Sequence, residues 1–187
     1  MNITPSEAQE ALNDIDQIMS RTRKMLSRGN APYQLILWGA IWFVGYLATA
    51  FLRGPITGLL WMALLLIGFV FTAYLAHRDK QRVKYEELGK RIGFSWISLF
   101  IFAAALLWAA SPKTVEQANL ILILIIMFGY ALMGIWVWRS LLWTGLLVSA
   151  LAIIGYLFFF DSFFLWMAVL GGGALAGSGF YFLKAGG

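Results

Sequence analysis

The chain has 187 residues, of which 61% are hydrophobic, 17% aromatic and only 12% charged. This composition lies far outside the range of soluble proteins and indicates one compact membrane domain. The net charge of +5 would suggest nucleic acid in a soluble protein. Here the basic residues flank apolar runs, so membrane orientation explains the charge and no nucleic-acid partner is predicted. The lack of cysteine excludes disulfides, thiol catalysis and cysteine-ligated metals.

Residues 1–31 predict a cytoplasmic amphipathic helix. Thr4 and Glu7 have the spacing of a capping box, and apolar residues recur every three or four positions after them. The polar face is acidic in its first half and basic in its second half, which places positive charge beside the bilayer. Two interpretations stay open. The helix lies on the membrane surface or against the bundle, or it binds a partner or associates with a second copy.

Residues 32–187 predict a membrane domain built only of helices. Six apolar runs are each roughly 19 to 21 residues long, the length that a helix needs to cross hydrocarbon about 30 Å thick. The predicted spans are 32–52, 56–76, 92–110, 120–138, 141–160 and 163–183. The sequence therefore predicts an all-α integral membrane protein whose six transmembrane helices form three helical hairpins.

The distribution of basic residues predicts the orientation. When the six predicted spans cross the membrane in alternating directions, twelve of the 14 Lys and Arg residues lie on one side of it. Only Arg53 and Lys113 lie on the other side. Basic residues favour the cytoplasmic face, so both termini are expected in the cytoplasm of a multi-pass protein of a bacterial inner (plasma) membrane. Eight of these residues, in the N-terminal helix and the segment 77–91, are predicted to contact anionic lipid or a protein partner. They are Arg21, Arg23, Lys24, Arg28, Arg78, Lys80, Arg82 and Lys84.

A cluster of glycines and alanines in the sixth span predicts close helix packing. Ala168, Gly172 and Ala176 share one helical face, and Gly173 and Gly177 share the adjacent face. Small residues at this spacing let a second helix approach closely, which compensates for the missing hydrophobic drive in lipid. The neighbouring helix belongs either to the same subunit or to a second copy in a homodimer.

A match within the sequence predicts an internal repeat of the first and last hairpins, and the abundance of Leu and Trp is the alternative explanation of the match. An ungapped offset of 105 residues places Leu37-Trp38 on Leu142-Trp143, and the run 60–63 on the run 165–168. A duplicated helical hairpin would place equivalent residues at equivalent depth in this way. A diverged middle copy would make the protein three parallel hairpins.

The polar side chains of the spans predict no catalytic, metal or cofactor site. His77 is the only histidine and lies at the end of the second span, so a metal ion lacks ligands. A dyad of His77 with Ser178 lacks a nucleophile elbow, and packing is the expected role of Ser178. Asp161 is expected to cap the sixth helix.

Aromatic residues away from the membrane boundaries admit two interpretations. Trp42 and Trp136 lie deeper than the other tryptophans, with Tyr46 and Tyr130 as candidate neighbours. They line a cavity for an apolar ligand, or they pack in the core, which is the preferred interpretation.

The sequence favours a non-enzymatic function. The two long polar segments of the sequence are the N-terminal helix and residues 77–91. Since these segments offer the main surface for a partner or for lipid head groups, the chain is predicted to be a membrane-embedded regulator or interaction subunit. The alternative is a small oligomeric transporter or channel for an apolar or neutral solute, which the glycine cluster and the repeat support.

Overall fold

In the computed structural model, the described part of the chain comprises Gln9, Asn13 and residues 31–52, 54–80, 86–136 and 139–185. Apart from short connections, this part is helical and has no strands, and it contains six helices long and apolar enough to cross a membrane. The fold-class prediction is confirmed to that extent. The predicted N-terminal helix lies outside the described residues, apart from Gln9 and Asn13, which are both helical.

The six helices agree with the predicted spans to within a few residues at most ends. Five are continuous: α1 (Ala31–Phe51), α2 (Pro55–Lys80), α3 (Glu86–Ala110), α4 (Val115–Trp136) and α5 (Arg139–Phe158). The sixth, α6, begins with a 3-10 turn at Phe160 and ends at Ala185. Helix α2 continues past its apolar run into the polar segment that follows it and ends at Lys80.

Helix α4 begins five residues before the predicted span because its first turn is capped. The side-chain oxygen of Thr114 accepts a hydrogen bond from the backbone N–H of Gln117 at 3.1 Å. The side chain of Gln117 in turn accepts from the backbone N–H of Lys113 at 3.0 Å. This exchange satisfies amides that the helix itself leaves unpaired, so the helix can start in a polar stretch.

Two turns use the left-handed backbone region. Gly54, between α1 and α2, has φ 81°, a conformation that costs glycine little. Ser111, which follows α3, has φ 42°. Its side chain donates to the carbonyl of Trp108 at 3.0 Å, and its backbone N–H donates to Leu107 at 3.1 Å, so hydrogen bonds hold the strained residue.

Helix α6 changes helix type along its length. The 3-10 turn Phe160–Ser162 is followed by an α-helical turn, then a π-helical segment Met167–Gly172, then the α-helix Gly173–Ala185. The prediction that Asp161 caps this helix is wrong, because Asp161 lies inside the 3-10 turn and no side chain caps the α-helix after it. The backbone carbonyl of Phe159 instead accepts from the N–H of Ser162 at 3.0 Å.

The helices pack side by side in the order α2, α1, α6, α5, α4, α3. The contacts of α1 with α6 and of α4 with α5 are the most extensive. Helix α2 packs chiefly on α1, and α3 chiefly on α4, so these two helices stand at the ends of the row. Helix α6 lies between α1 and α5, although the chain reaches it last.

The core lies among α1, α4, α5 and α6. Its largest fully buried side chains include Phe163, Met167, Ile123 and Met127, and Thr144 is the one buried polar side chain in the described part of the chain. The described buried polar side-chain atoms all have hydrogen-bond partners. The described buried polar groups of this core are therefore paired within the protein.

Candidate interaction surfaces

The basic residues predicted to contact lipid or a partner fall mostly outside the described residues. Arg78 and Lys80 lie in the last turns of α2. The other six, Arg21, Arg23, Lys24, Arg28, Arg82 and Lys84, lie outside the described ranges. Their contacts with lipid or partner therefore stay a prediction.

The two faces of the glycine cluster of α6 have different surroundings. Its first face packs on α1: a Cβ atom added to Gly39 of α1 would lie 2.5 Å from the backbone nitrogen of Ala176 and 2.8 Å from the carbonyl oxygen of Gly172. Ala168, on the same face, is fully buried. A Cβ on Gly179 would likewise lie 2.6 Å from the carbonyl oxygen of Pro32. The backbones of α1 and α6 thus pass in direct contact.

The adjacent face of the cluster is open. Gly173 and Gly177 are both exposed, and a Cβ atom added to either would meet no atom within 4 Å. The sequence pattern could not separate the two faces, because both carry small residues at the same spacing. Gly39 on α1 lies against the first face, and this contact shows which of the two faces packs within the chain.

Gly177 lies in a groove between α5 and the last part of α6. The groove has a volume of about 520 Å³, and its walls are largely apolar. They include Trp143, Leu147, Ala174 and Tyr181. Trp143 is 68% exposed and Tyr181 66% exposed, so the groove opens away from the bundle.

A pair of hydroxyls closes the inner side of this groove. Thr144 on α5 and Ser178 on α6 place their side-chain oxygens 3.2 Å apart. The Ser178 hydroxyl donates to the carbonyl of Ala174 at 2.7 Å, and Thr144 also reaches the carbonyl of Ser140 at 3.1 Å. Sequence reasoning named Ser178 but missed Thr144. The structure pairs Ser178 with Thr144, whereas the exposed His77 lies on α2, which packs on α1.

A tryptophan contact recurs in the α1–α2 and α5–α6 pairs. The indole N–H of Trp61 on α2 donates to the hydroxyl of Thr49 on α1 at 2.9 Å. The indole N–H of Trp166 on α6, at the predicted offset of 105 residues, donates to the carbonyl of Leu151 on α5 at 2.8 Å. Each ring covers a glycine of the preceding helix, Gly45 for Trp61 and Gly155 for Trp166.

A second side-chain contact recurs farther along the same pairs. The hydroxyl of Thr72 on α2 donates to the side-chain oxygen of Gln34 on α1 at 2.8 Å, as Ser178 pairs with Thr144. The spacing from Trp166 to Ser178 is one residue longer than the spacing from Trp61 to Thr72. The π-helical segment Met167–Gly172 lies between and takes up the extra residue. In these two pairs the tryptophans keep the predicted offset of 105 residues, whereas the residues of the second contact do not: Thr144 follows Gln34 by 110 residues.

The deeper aromatic residues separate into a packed group and an exposed one. Trp42 and Tyr46 are buried with ring centroids 5.6 Å apart, and Tyr46 also contacts Trp61 at 5.2 Å. Core packing is therefore the correct interpretation for Trp42. Trp136 is 84% exposed and lines no cavity with Tyr130, which packs against Trp96 at 5.6 Å.

Helices α2 and α3 expose most of their surface. In the most apolar stretch of each, only 6% of the residues are buried, against 33% in α1 and in α5. Large side chains on their outer faces include Leu66 at 65% exposure and Ile101 at 66%. Gly58 and Gly93 lie on these helices with nothing within 4 Å of an added Cβ. Both helices could therefore receive a neighbouring helix closely.

The described residues offer no obvious chemistry. They contain no group of three or more His, Asp or Glu side chains that could hold a metal ion. Comparison with protein-family models, with curated proteins and with solved structures finds no match to this chain.

Proposed function

We propose that this chain is a membrane-embedded interaction subunit. In this proposal the six helices cross a membrane as three hairpins with both termini in the cytoplasm. The outer faces of α2 and α3 bind helices of a partner membrane protein. The N-terminal segment and residues 77–91 add cytoplasmic contacts to that partner or to anionic lipid.

One observation carries the proposal: the two end helices of the row have most of their surface free. Helices α2 and α3 have 6% of their most apolar residues buried, whereas α6 has 39%. Each packs chiefly on a single neighbour, while α1, α6, α5 and α4 each have two. Since the core is complete without their outer faces, those faces are available to another protein.

Small residues on the free faces favour a protein neighbour as well as lipid. Gly58 on α2 and Gly93 on α3 are unobstructed, and Ser98 on α3 is exposed. Helix association in lipid depends on close approach and on hydrogen bonds between helices, which glycine and serine provide.

The packed core does not favour a pathway through one copy of the chain. Phe163, Met167 and Ile123 fill the space among the four central helices and are fully buried. The transporter or channel alternative therefore depends on a pathway between copies. Liposomes containing the protein are expected to show no flux above protein-free liposomes.

Site-specific crosslinking in native membranes tests the proposal directly. The chain has no cysteine, so each single-cysteine variant carries the photoreactive probe at one position only. Probes at Leu66→Cys on α2 and Ile101→Cys on α3 are expected to yield the same discrete protein adduct. A probe at Leu146→Cys on α5, where Leu146 is 49% exposed, is the matched control and should yield only lipid adducts.

The outcome separates a partner from lipid. Protein adducts at both outer positions and not at the control would support the interaction subunit. Lipid adducts alone at all three positions would refute it. Deletion of residues 5–28 is expected to reduce the protein adduct while the bundle stays folded, because the cytoplasmic contacts are removed.

A further inference from the structure

We propose that the groove between α5 and α6 binds one anionic phospholipid, with an acyl chain along its apolar wall and the phosphate between Arg139 and Lys184. The inference needs the membrane location given under the proposed function. It does not need the partner at α2 and α3. The two proposals can therefore fail separately.

The groove has the size and lining that suit an acyl chain. Its volume is about 520 Å³, and its walls are largely apolar. Gly177 leaves the groove open beside it, since a Cβ atom added to Gly177 would meet no atom within 4 Å. The hydroxyls of Thr144 and Ser178 form hydrogen bonds with each other and with backbone carbonyls. A hydrocarbon chain beside them would therefore leave neither hydroxyl without a hydrogen-bond partner.

Two cations stand at one end of this groove. Arg139 is the first residue of α5 and Lys184 lies in the last turn of α6, and both side chains are exposed. Arg139 is four residues from Trp143, and Lys184 is three residues from Tyr181. Residues at these spacings share a helical face, so both cations extend the two walls of the groove.

The two cations also lie at the same level. The hydroxyl pair aligns Thr144 with Ser178 across the two helices. At 1.5 Å per residue, Arg139 lies about 7.5 Å and Lys184 about 9 Å beyond that pair. Neighbouring helices pack about 8 to 10 Å apart, so one phosphate can approach both side chains.

Within α5 and α6, which the structure describes along their full length, no acidic residue lies at this end of the groove. Asp161 is the only acidic residue between Arg139 and Lys184, and it lies in the turn at the opposite end of both helices. Exposed tryptophan and tyrosine beside the cations, at Trp143 and Tyr181, suit the head-group level of a bilayer. An anionic head group is therefore favoured over a zwitterionic one.

Native mass spectrometry of the full chain in detergent tests this site. The protein is mixed with equal amounts of phosphatidylglycerol and phosphatidylcholine that have identical acyl chains. The wild type is expected to retain one phosphatidylglycerol in preference. Arg139→Gln and Lys184→Gln should each lower that preference about fivefold, since each basic side chain attracts anionic lipid, and the double variant should lower it further. Lys113→Gln, at an exposed cation of another turn, is the control and should change nothing.

Two glycine variants separate the lipid from a second copy of the chain. Gly177→Leu should fill the groove and lower retention of both lipids, whereas Gly173→Leu, which adds the same side chain at an open position outside the groove lining, should not. Equal retention of the two lipids by the wild type would overturn the proposal. So would a homodimer that both glycine variants dissociate, because the groove would then be a contact between copies.

Discussion

Helix α1 packs on two neighbours in different ways. Toward α6 it presents Gly39, which lies against backbone atoms of Gly172 and Ala176. Toward α2 it presents Gly45, which lies against the ring of Trp61. The first contact joins two backbones along a continuous surface, and the second depends on a large side chain. Since helix packing in lipid is driven by close contact, we expect the α1–α6 contact to be the more stable one.

The largest expected effect comes from separating α1 and α6. Gly39→Leu places a side chain where backbone atoms of α6 lie within 3 Å, and backbone cannot move aside as a flexible side chain can. We expect the free energy of unfolding to fall by about 3 kcal/mol. Unfolding by SDS in mixed micelles measures it. Gly58→Leu, which meets nothing, is the control, and equal losses in the two variants would contradict the comparison.

A smaller and local effect is expected at the α1–α2 contact. Trp61→Ala removes the ring over Gly45 and the hydrogen bond to Thr49, at a cost of about 2 kcal/mol. Hydrogen exchange should rise in α2 while α1 and α6 keep their protection. The outward-facing Leu59, which is 59% exposed, provides the control Leu59→Ala. A uniform rise in exchange across the bundle would show that α2 is part of the cooperative core.

The hydroxyl pair between α5 and α6 should contribute less. A double-mutant cycle of Thr144→Val and Ser178→Ala is expected to give a coupling energy of about 0.6 kcal/mol, the usual value for such bonds between membrane helices. A coupling near zero would mean that the 3.2 Å contact does not stabilise the pair of helices.

The smallest effect on stability is expected on the outer helices. Leu66→Ala and Ile101→Ala remove exposed side chains and should change the unfolding free energy of the isolated protein by less than about 0.5 kcal/mol. In native membranes the same variants should weaken the crosslink to the proposed partner. A large loss of stability in detergent would show that these faces pack within the chain.

The fold was predictable in outline because its main signals are local. Hydrophobic length placed six helices near their observed positions, and the repeat offset anticipated the equivalent roles of Trp61 and Trp166. The start of α4 was missed because the capping exchange between Thr114 and Gln117 lies in a polar stretch outside the hydropathy signal.

The candidate site was much less predictable. The glycine cluster of α6 carries small residues on two adjacent faces, and only the position of α1 shows which face is occupied and which is open. The groove beside Gly177 also needs Trp143 and Thr144, which come from a different helix.

By itself the sequence determined the number and approximate position of the six long apolar helices, because a continuous apolar run of about 20 residues is a property of each segment separately. Only the tertiary structure decided that α6 lies between α1 and α5 and that α2 and α3 stand at the ends. The spans are apolar on nearly every side, so the periodicity that identifies the inward face of a soluble helix carries little information. Close fit between particular small and large residues chooses the neighbours instead.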